Sequence, residues 1–128
     1  MIKMISAILS FKELQGKIAY NPTIPFEYNG RKYIGIRLEP LESELESQTF
    51  FAFEQDRDKN LWIIDYSVGS LQLQDPALMR IKGKCFLAGV KVWEENGRIR
   101  KRQDFYKGDS IKDLKYYCSG PLGMKDIR

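Results

Sequence analysis

The sequence contains no histidine in 128 residues. Without histidine, Ser-His-Asp and Cys-His catalysis, the HExxH zinc motif and ordinary zinc fingers are excluded. Glycine-rich phosphate loops, Cys-x-x-Cys pairs and calcium-type carboxylate clusters do not occur in the sequence either. We therefore expect no metal and no cofactor, and any catalysis would have to use carboxylates, tyrosine, lysine or cysteine.

Cysteine is scarce, with Cys85 and Cys118 the two examples. Both lie in apolar or aromatic runs typical of strands, and free cysteine behaves as a small hydrophobe, so we expect both in the core. With no disulfide framework and no convincing export signal, a cytoplasmic location is the expectation.

Long apolar runs are missing as well, since no stretch approaches the roughly 20 apolar residues that span a bilayer. We therefore expect no membrane partner. The opening MIKMISAILSF is too short for a signal peptide and is followed at once by Lys12 and Glu13. Its aliphatic residues recur at helical spacing, and Gly16 is a stop signal, so the pattern predicts an amphipathic helix over residues 2 to 15.

The charge is mildly basic and interspersed, at +4 net with 30% charged residues, while 43% hydrophobic residues supply one buried core. The stretch Arg98–Arg102, beside Phe105 and Tyr106, could bind nucleic acid through phosphate pairing and base stacking. Its alternation is more typical of a solvated outer strand of a sheet, and we expect no nucleic-acid partner. The acidic run Glu39–Glu46 is interpreted as a solvated loop.

After Gly16 the sequence consists of short strand-like runs separated by turn signals, which indicates an all-β protein. Four strands are predicted between residues 23 and 65, with an Asn29-Gly30 hairpin turn after the first. Four more follow Asp75, with turns at Lys82-Gly83 and Asn96-Gly97. The two halves repeat with an offset of 54 residues between Pro22 and Pro76.

A four-strand unit that recurs at this spacing is typical of a β-propeller blade. The predicted organisation is an N-terminal helix at 1–17, a first blade at 18–68, a second at 69–120 and the start of a third at 121–128. Because propellers typically have about four to eight blades, we expect an incomplete propeller. Its open blade edges would favour self-association.

Three motifs in order, YNPTIPFEYNGRKYIGIRLEP, LQDP and SGPLGMKDIR, carry a family resemblance. From Lys12 to Arg128 the chain resembles the N-terminal part of domain-of-unknown-function family 1861. The resemblance implies a five-bladed β-propeller similar to those of glycoside hydrolase families 130, 43 and 32, which are roughly twice this length or more. Families 43 and 32 carry aspartate where this chain has Asn21. The Asn-Pro first motif and the Asp-Pro second motif are closer to family 130, the mannoside phosphorylases and hydrolases.

The resemblance to family 130 also implies roles for particular residues. Asp75 would be the catalytic proton donor, and Arg37 and Glu39 of the first blade would bind sugar hydroxyls. The remaining substrate-binding candidates lie at the predicted starts of the first and third blades and are Asn21, Lys125, Asp126 and Arg128. The implied partners are carbohydrate and phosphate. Ala77 departs from the family pattern, which has an arginine after the Asp-Pro step.

Simpler interpretations stay open for each of these residues. Asp75 beside Pro76 could be a turn residue, and Arg37 with Glu39 could be a plain cross-strand ion pair. Trp62 and Trp93 could be sugar platforms, although positions within strands favour packing between blades. At the level of function, the alternatives are a glycosidase or phosphorylase acting on mannosides, a non-catalytic carbohydrate-binding or assembly protein, and a chain whose site is incomplete in isolation.

Overall fold

The computed structural model describes residues 10–12, 17–40, 46–55 and 58–120, and most of these residues are in β-strands. A short 3₁₀ helix at Ile111–Asp113 lies between the last two strands. In these segments, no helix has the length and apolar character needed to cross a bilayer. The strands are β1 Ser10–Lys12, β2 Lys17–Tyr20, β3 Phe26–Tyr28, β4 Arg31–Pro40, β5 Gln48–Gln55, β6 Asp58–Ile64, β7 Gln74–Ile81, β8 Lys84–Glu95, β9 Arg98–Gly108 and β10 Lys115–Ser119.

The first sheet has the strand order β1-β6-β5-β4, and both β2 and β3 pair with β4. Strand β1 runs parallel to β6, whereas the other pairs are antiparallel. The helix predicted over residues 2 to 15 is therefore wrong at Ser10–Lys12, because these residues pair with Leu61–Ile63 as a sheet edge. The rest of that predicted helix lies outside the described residues.

The second sheet has the order β10-β9-β8-β7. Strand β9 is thus the third strand and not the outermost, but β10 pairs only with Asp104–Lys107 of it. Within the described residues, the basic stretch Arg98–Arg102 therefore has a partner strand on the β8 side alone and lies at a sheet edge, as its alternation predicts. The predicted hairpin turns are confirmed, because Asn29-Gly30, Lys82-Gly83 and Asn96-Gly97 all have positive φ at both positions. A two-residue turn with this geometry matches the twist of the strands that it joins.

The core is divided between two clusters because β4 is covered on both faces. On one face of β4, Tyr33, Gly35 and Arg37 point toward the second sheet. The alternate residues of β4 point to the opposite face, because successive side chains of a strand lie on opposite sides. The cluster between the sheets contains Tyr33, Phe51, Leu73, Cys85, Leu87 and Ile111. The cluster on the far face of the first sheet contains Ile34, Ile36, Leu38, Ala52, Trp62 and Ile64.

Two expectations about single residues have different outcomes. Trp62 is 3% exposed within the far cluster, which confirms its predicted core position. Cys85 is also buried, but the core prediction for Cys118 is wrong, since β10 is an edge strand and its Cys118 is exposed. The two curled sheets pack as neighbouring blades, so the chain is all-β and forms two blades of an incomplete β-propeller.

Candidate functional site

The Asp75-Pro76 step forms a β-bulge near the start of β7. Gln74 pairs with Val90 and Ala77 pairs with Ala88, so Asp75 and Pro76 together lie opposite Gly89. A bulge leaves the extra residue unpaired and changes the direction in which its side chain points. The interruption therefore directs the Asp75 side chain away from the regular alternation of the strand.

The Asn21-Pro22 step forms the same interruption in the first sheet. Tyr20 pairs with Arg37, and the backbone NH of Thr23 donates to the carbonyl of Gly35 across 2.8 Å. Asn21 and Pro22 therefore lie opposite the single residue Ile36, between β2 and β3. Each blade thus presents one polar residue from an equivalent bulge.

Both polar residues have a left-handed backbone, with φ of 53° at Asn21 and 51° at Asp75. Among the described non-glycine residues, the other positive φ values belong to the hairpin turns at Asn29, Lys82 and Asn96. Aspartate and asparagine tolerate this region better than other side chains, and strained backbone outside turns concentrates at functional sites. Outside the hairpin turns, the two described non-glycine residues with a left-handed backbone are therefore both residues that the sequence indicated as site candidates.

These bulges meet in a hydrogen-bonded cluster around Arg37. Asn21 Nδ2 donates to Asp75 Oδ1 across 2.5 Å, and Arg37 Nη1 donates to the same oxygen across 2.9 Å. Arg37 Nη2 donates to Glu39 Oε2 across 3.0 Å. The structure thus brings together Asn21, Arg37, Glu39 and Asp75, whereas Lys125, Asp126 and Arg128 lie outside the described residues.

Arg37 bridges the two carboxylates from a buried position, with its side chain 7% exposed. Burial alone would lower the pKa of Arg37, but its hydrogen bonds to Asp75 and Glu39 outweigh burial and raise that pKa. Its guanidinium also donates from Nε to Ser47 Oγ across 3.2 Å and lies 4.6 Å from the ring centroid of Tyr20. The guanidinium therefore remains charged and fixed.

Glu39 is held by several donors, so the prediction that it belongs to a solvated loop is wrong. It lies in β4 and accepts hydrogen bonds from Tyr20, Ser47 and Arg37. Burial would raise the pKa of Glu39, but these hydrogen bonds outweigh burial and lower it. Burial together with the bond to Glu39 raises the pKa of Tyr20 to about 12, so Tyr20 remains a neutral donor.

Tyr20 and Ser47 are the two members of the cluster that sequence reasoning missed. Tyr20 directly precedes the Asn-Pro step and pairs with Arg37, so its position before a site motif is a usable signal. Ser47 follows the acidic run and carries no comparable signal, because its bonds depend on how the chain between β4 and β5 returns to Glu39.

The two carboxylates differ in access. The Asp75 side chain is 27% exposed, whereas that of Glu39 is 14% exposed and accepts from three side chains. The hydrogen bonds from Asn21 and Arg37 both reach Oδ1 of Asp75, which leaves Oδ2 outside that pair of contacts. Asp75 is therefore the more accessible of the two carboxylates. In the described segments, no group of three or more Cys, Asp or Glu residues is arranged to hold a metal ion.

A polar cavity of about 270 Å³ lies beside the cluster. Ser47, which bonds to Glu39 and Arg37, forms part of its wall together with Gln72 and Gln74. The opposite wall is formed by residues 90–94 of β8 and includes Trp93. Trp93 is partly buried and borders this cavity, whose lining comes from both blades.

Comparison with solved structures identifies similar chains from Leishmania. A GDP-Man-dependent mannosyltransferase from Leishmania mexicana has 34% identity and a TM-score of 0.85, and the match covers 94% of this chain and 38% of that chain. A mannose phosphorylase from the same organism, in complex with a phosphate ion, has 28% identity, a TM-score of 0.86 and coverages of 98% and 38%. A hypothetical protein from Leishmania major has 28% identity, a TM-score of 0.83 and coverages of 98% and 40%.

The chain thus spans less than half the length of the solved structures that it matches. No curated protein matches it. The family model described as protein of unknown function, DUF1861, matches residues 2–128. We conclude that the chain belongs to the DUF1861 family.

Proposed function

We propose that this chain is the part of a mannoside-acting enzyme that carries the catalytic acid, and that the enzyme is a glycoside phosphorylase. The observation that carries the proposal is the cluster in which Asn21 and Arg37 orient Asp75 at the meeting point of two blades. The similarity to a mannose phosphorylase and to a mannosyltransferase supports mannose as the sugar. We also propose that the whole enzyme is a five-bladed propeller.

In this mechanism, Asp75 donates a proton to the glycosidic oxygen as the bond between that oxygen and the anomeric carbon breaks. A phosphate oxygen forms the new bond to the anomeric carbon, which gives a mannosyl phosphate and a free hydroxyl on the departing sugar. Asn21 and Arg37 bind Oδ1 of Asp75, so Oδ2 is the oxygen that would carry the proton. General acid catalysis requires this kind of fixed geometry.

Phosphorolysis is favoured over hydrolysis by the state of Glu39. Glycosidases commonly use a second carboxylate as a base or nucleophile. Glu39 accepts hydrogen bonds from Tyr20, Ser47 and Arg37, and its lowered pKa makes it a weak base. Phosphate is already an anionic nucleophile, so the reaction needs one acid and no second carboxylate from the protein.

The other candidate residues would bind the sugar. Arg37 and Glu39 form an ion pair with 3.0 Å between Nη2 and Oε2, and both side chains would also bind sugar hydroxyls. We retain Lys125, Asp126 and Arg128 as proposed substrate ligands from the start of the third blade. Residues of the whole propeller other than those described above would bind the phosphate.

The test is the turnover of a panel of mannosides, with and without phosphate, by the complete polypeptide that contains these blades. We expect mannosyl phosphate to form in the wild type, and Asp75→Asn to lower the rate about 1,000-fold or more while the fold is retained. Asp109→Asn is a matched control, because Asp109 is an exposed aspartate whose side chain is 75% accessible and contacts Lys84. Retained turnover in Asp75→Asn would remove Asp75 from the mechanism. Release of mannose without phosphate would identify a hydrolase instead.

A second candidate function is mannoside binding without catalysis. It is favoured by the 2.9 Å contact between Arg37 and Asp75, since a carboxylate paired with a guanidinium accepts hydrogen bonds rather than donating them. Calorimetric titration of the same protein with mannosides separates the two functions. Saturable heat with no accumulation of product would identify a binding protein.

A further inference from the structure

Strands β8 and β9 continue beyond β7 as a two-stranded arm. Val90 is the last residue of β8 that pairs with β7, whereas β8 and β9 remain paired as far as Glu95 and Arg98. We call residues 91–102 the β8–β9 arm. Its pairs Lys91 with Arg102 and Trp93 with Arg100 lie on the face that continues from Gly89, and Gly89 faces Leu73 in the core between the sheets. This face of the arm therefore lies on the side of the second sheet that faces the first sheet, as the Asp75 cluster does.

Trp93 is held in place on this face by a buried anchor. The guanidinium of Arg102 lies 5.4 Å from the ring centroid of Trp93, and Arg102 Nε donates to Asp104 Oδ1 across 2.8 Å. Asp104 is 1% exposed and accepts a second hydrogen bond from Ser119 across 2.7 Å. A fixed aromatic ring loses little conformational freedom when a ligand binds to it.

The ring of Trp93 borders two cavities. The first, of about 270 Å³, is the cavity that Ser47, Gln72 and Gln74 also line. The second, of about 380 Å³, is lined by Lys91, Trp93 and Arg102. Ser47, which lines the first cavity, is hydrogen-bonded to both Glu39 and Arg37, so this cavity adjoins the cluster that holds Asp75. A molecule bound at Asp75 can therefore extend toward Trp93.

We propose that Trp93 is the stacking platform for the sugar unit joined to the mannosyl group, and that the cavity beside it is the subsite for that unit. This inference rests on the proposed function. An aromatic face packs well against the C–H face of a sugar ring. The side-chain amides of Gln72 and Gln74 and the ammonium group of Lys91 are suited to hydrogen bonds with its hydroxyls. The substrate class is then a mannoside of two or more sugar units, with Trp93 determining its length.

The part of the tryptophan fluorescence response that Trp93→Ala removes reports on this subsite. The chain has two tryptophans, and Trp62 is buried in the far cluster at 3% exposure. We expect mannobiose to change the fluorescence saturably, and mannose alone to change it little. Trp93→Ala should weaken mannobiose binding by calorimetry about tenfold or more and leave mannose affinity within about twofold of the wild type.

Two variants keep the test specific to the proposed platform. Trp93→Phe retains a flat ring and should recover most of the lost mannobiose affinity. Lys101→Ala changes the opposite face of the arm, where Lys101 pairs with Val92, and should leave both affinities unchanged. A urea denaturation curve for each variant identifies any general loss of fold.

The outcomes separate this inference from the proposed function. If Trp93→Ala binds mannobiose as well as the wild type does, the platform is rejected, while a loss of turnover in Asp75→Asn would still support the proposed function. If the platform variants behave as expected but Asp75→Asn turns over normally, the subsite stands and the catalytic role of Asp75 fails. If neither sugar binds to the wild type, both proposals are rejected.

Discussion

The side-chain amide of Asn21 donates a hydrogen bond to Asp75 across 2.5 Å, which joins equivalent bulges of two blades 54 residues apart. Each residue has a positive φ and precedes a proline. A residue before proline is already restricted in conformation, so the backbone at both positions is held by its surroundings. Asp75 of one blade is thus held by Asn21 of the other blade, and separate changes to side chain and backbone can test this dependence.

Replacing Asn21 tests the orientation of Asp75. Asn21→Gly keeps the left-handed backbone accessible but removes the amide, and we expect stability to change by less than about 1 kcal/mol while mannoside binding weakens several-fold. Asn21→Asp should cost more at neutral pH, because it places two carboxylates together. Urea denaturation and calorimetry of the two variants check both effects. Equal binding by Asn21→Gly and the wild type would show that the amide does not orient the acid.

The stability of the cluster should depend on pH through Glu39. The pKa of Glu39 is lowered in the folded state, so its ionised form stabilises the fold above its unfolded pKa of about 4.3, and this contribution is lost as pH falls through the folded pKa. We expect Glu39→Gln to cost about 1–3 kcal/mol at pH 7. The difference from the wild type should shrink as pH falls below about 4.

Urea denaturation of Glu39→Gln at a series of pH values measures this dependence. Glu27→Gln is the matched control, since Glu27 is an exposed glutamate of β3 in the same sheet. We expect the control to follow the wild type throughout. A difference between Glu39→Gln and the wild type that stays constant with pH would contradict the ionic role of Glu39.

Arg37→Lys tests whether one guanidinium is needed to join Asp75, Glu39 and Ser47. Lysine keeps the charge, but its single nitrogen cannot reproduce donors from Nε, Nη1 and Nη2. We expect a loss of about 1–3 kcal/mol in unfolding free energy and at least tenfold weaker mannoside binding. Arg80→Lys, at an exposed arginine of β7, is the control and should change neither quantity.

Gly89→Ala tests the support of the Asp75 bulge. An added Cβ would lie 2.7 Å from Leu73 Cβ and 3.3 Å from the carbonyl oxygen of Gln74, so the chain before Asp75 must move. We expect a loss of about 1–3 kcal/mol, as for other overpacked cores, together with weaker mannoside binding. Gly97→Ala strains a turn with φ +75° but meets no neighbour within 4 Å, so it should lower stability without affecting binding.

Strand positions and hairpin turns were predictable because they depend on local sequence. The Asn-Gly turn at Asn29 and the alternation of β4 are both properties of adjacent residues. Strand β1 was not predictable in this way, since Ile5, Ile8 and Leu9 have helical spacing, whereas the pairing of Ser10–Lys12 with β6 depends on residues 51 positions away. Tertiary pairing overrides local propensity in such short segments.

Part of the candidate site was also predictable from the sequence. The repeat and the family resemblance indicated Asn21, Arg37, Glu39 and Asp75, which the structure brings into one cluster. Their mutual bonds were not predictable, because the bulges turn Asn21 and Asp75 toward each other only when two sheets pack. The partly exposed position of Trp93 likewise follows from the length of the β8–β9 arm beyond β7, which the strand pattern alone does not give.

The two bulges are packed by one large and one small side chain each, but in opposite positions. At the first bulge the facing residue is Ile36, and Ala19, two positions before Asn21, packs against its cluster. At the second bulge the facing residue is Gly89, and the residue two positions before Asp75 is the large Leu73. A large and a small side chain thus exchange places between the two blades, so each bulge is packed by one large and one small side chain. Neither member of these pairs belongs to the hydrogen-bonded cluster, which allows the polar residue at each bulge to diverge while the same backbone continues to present it.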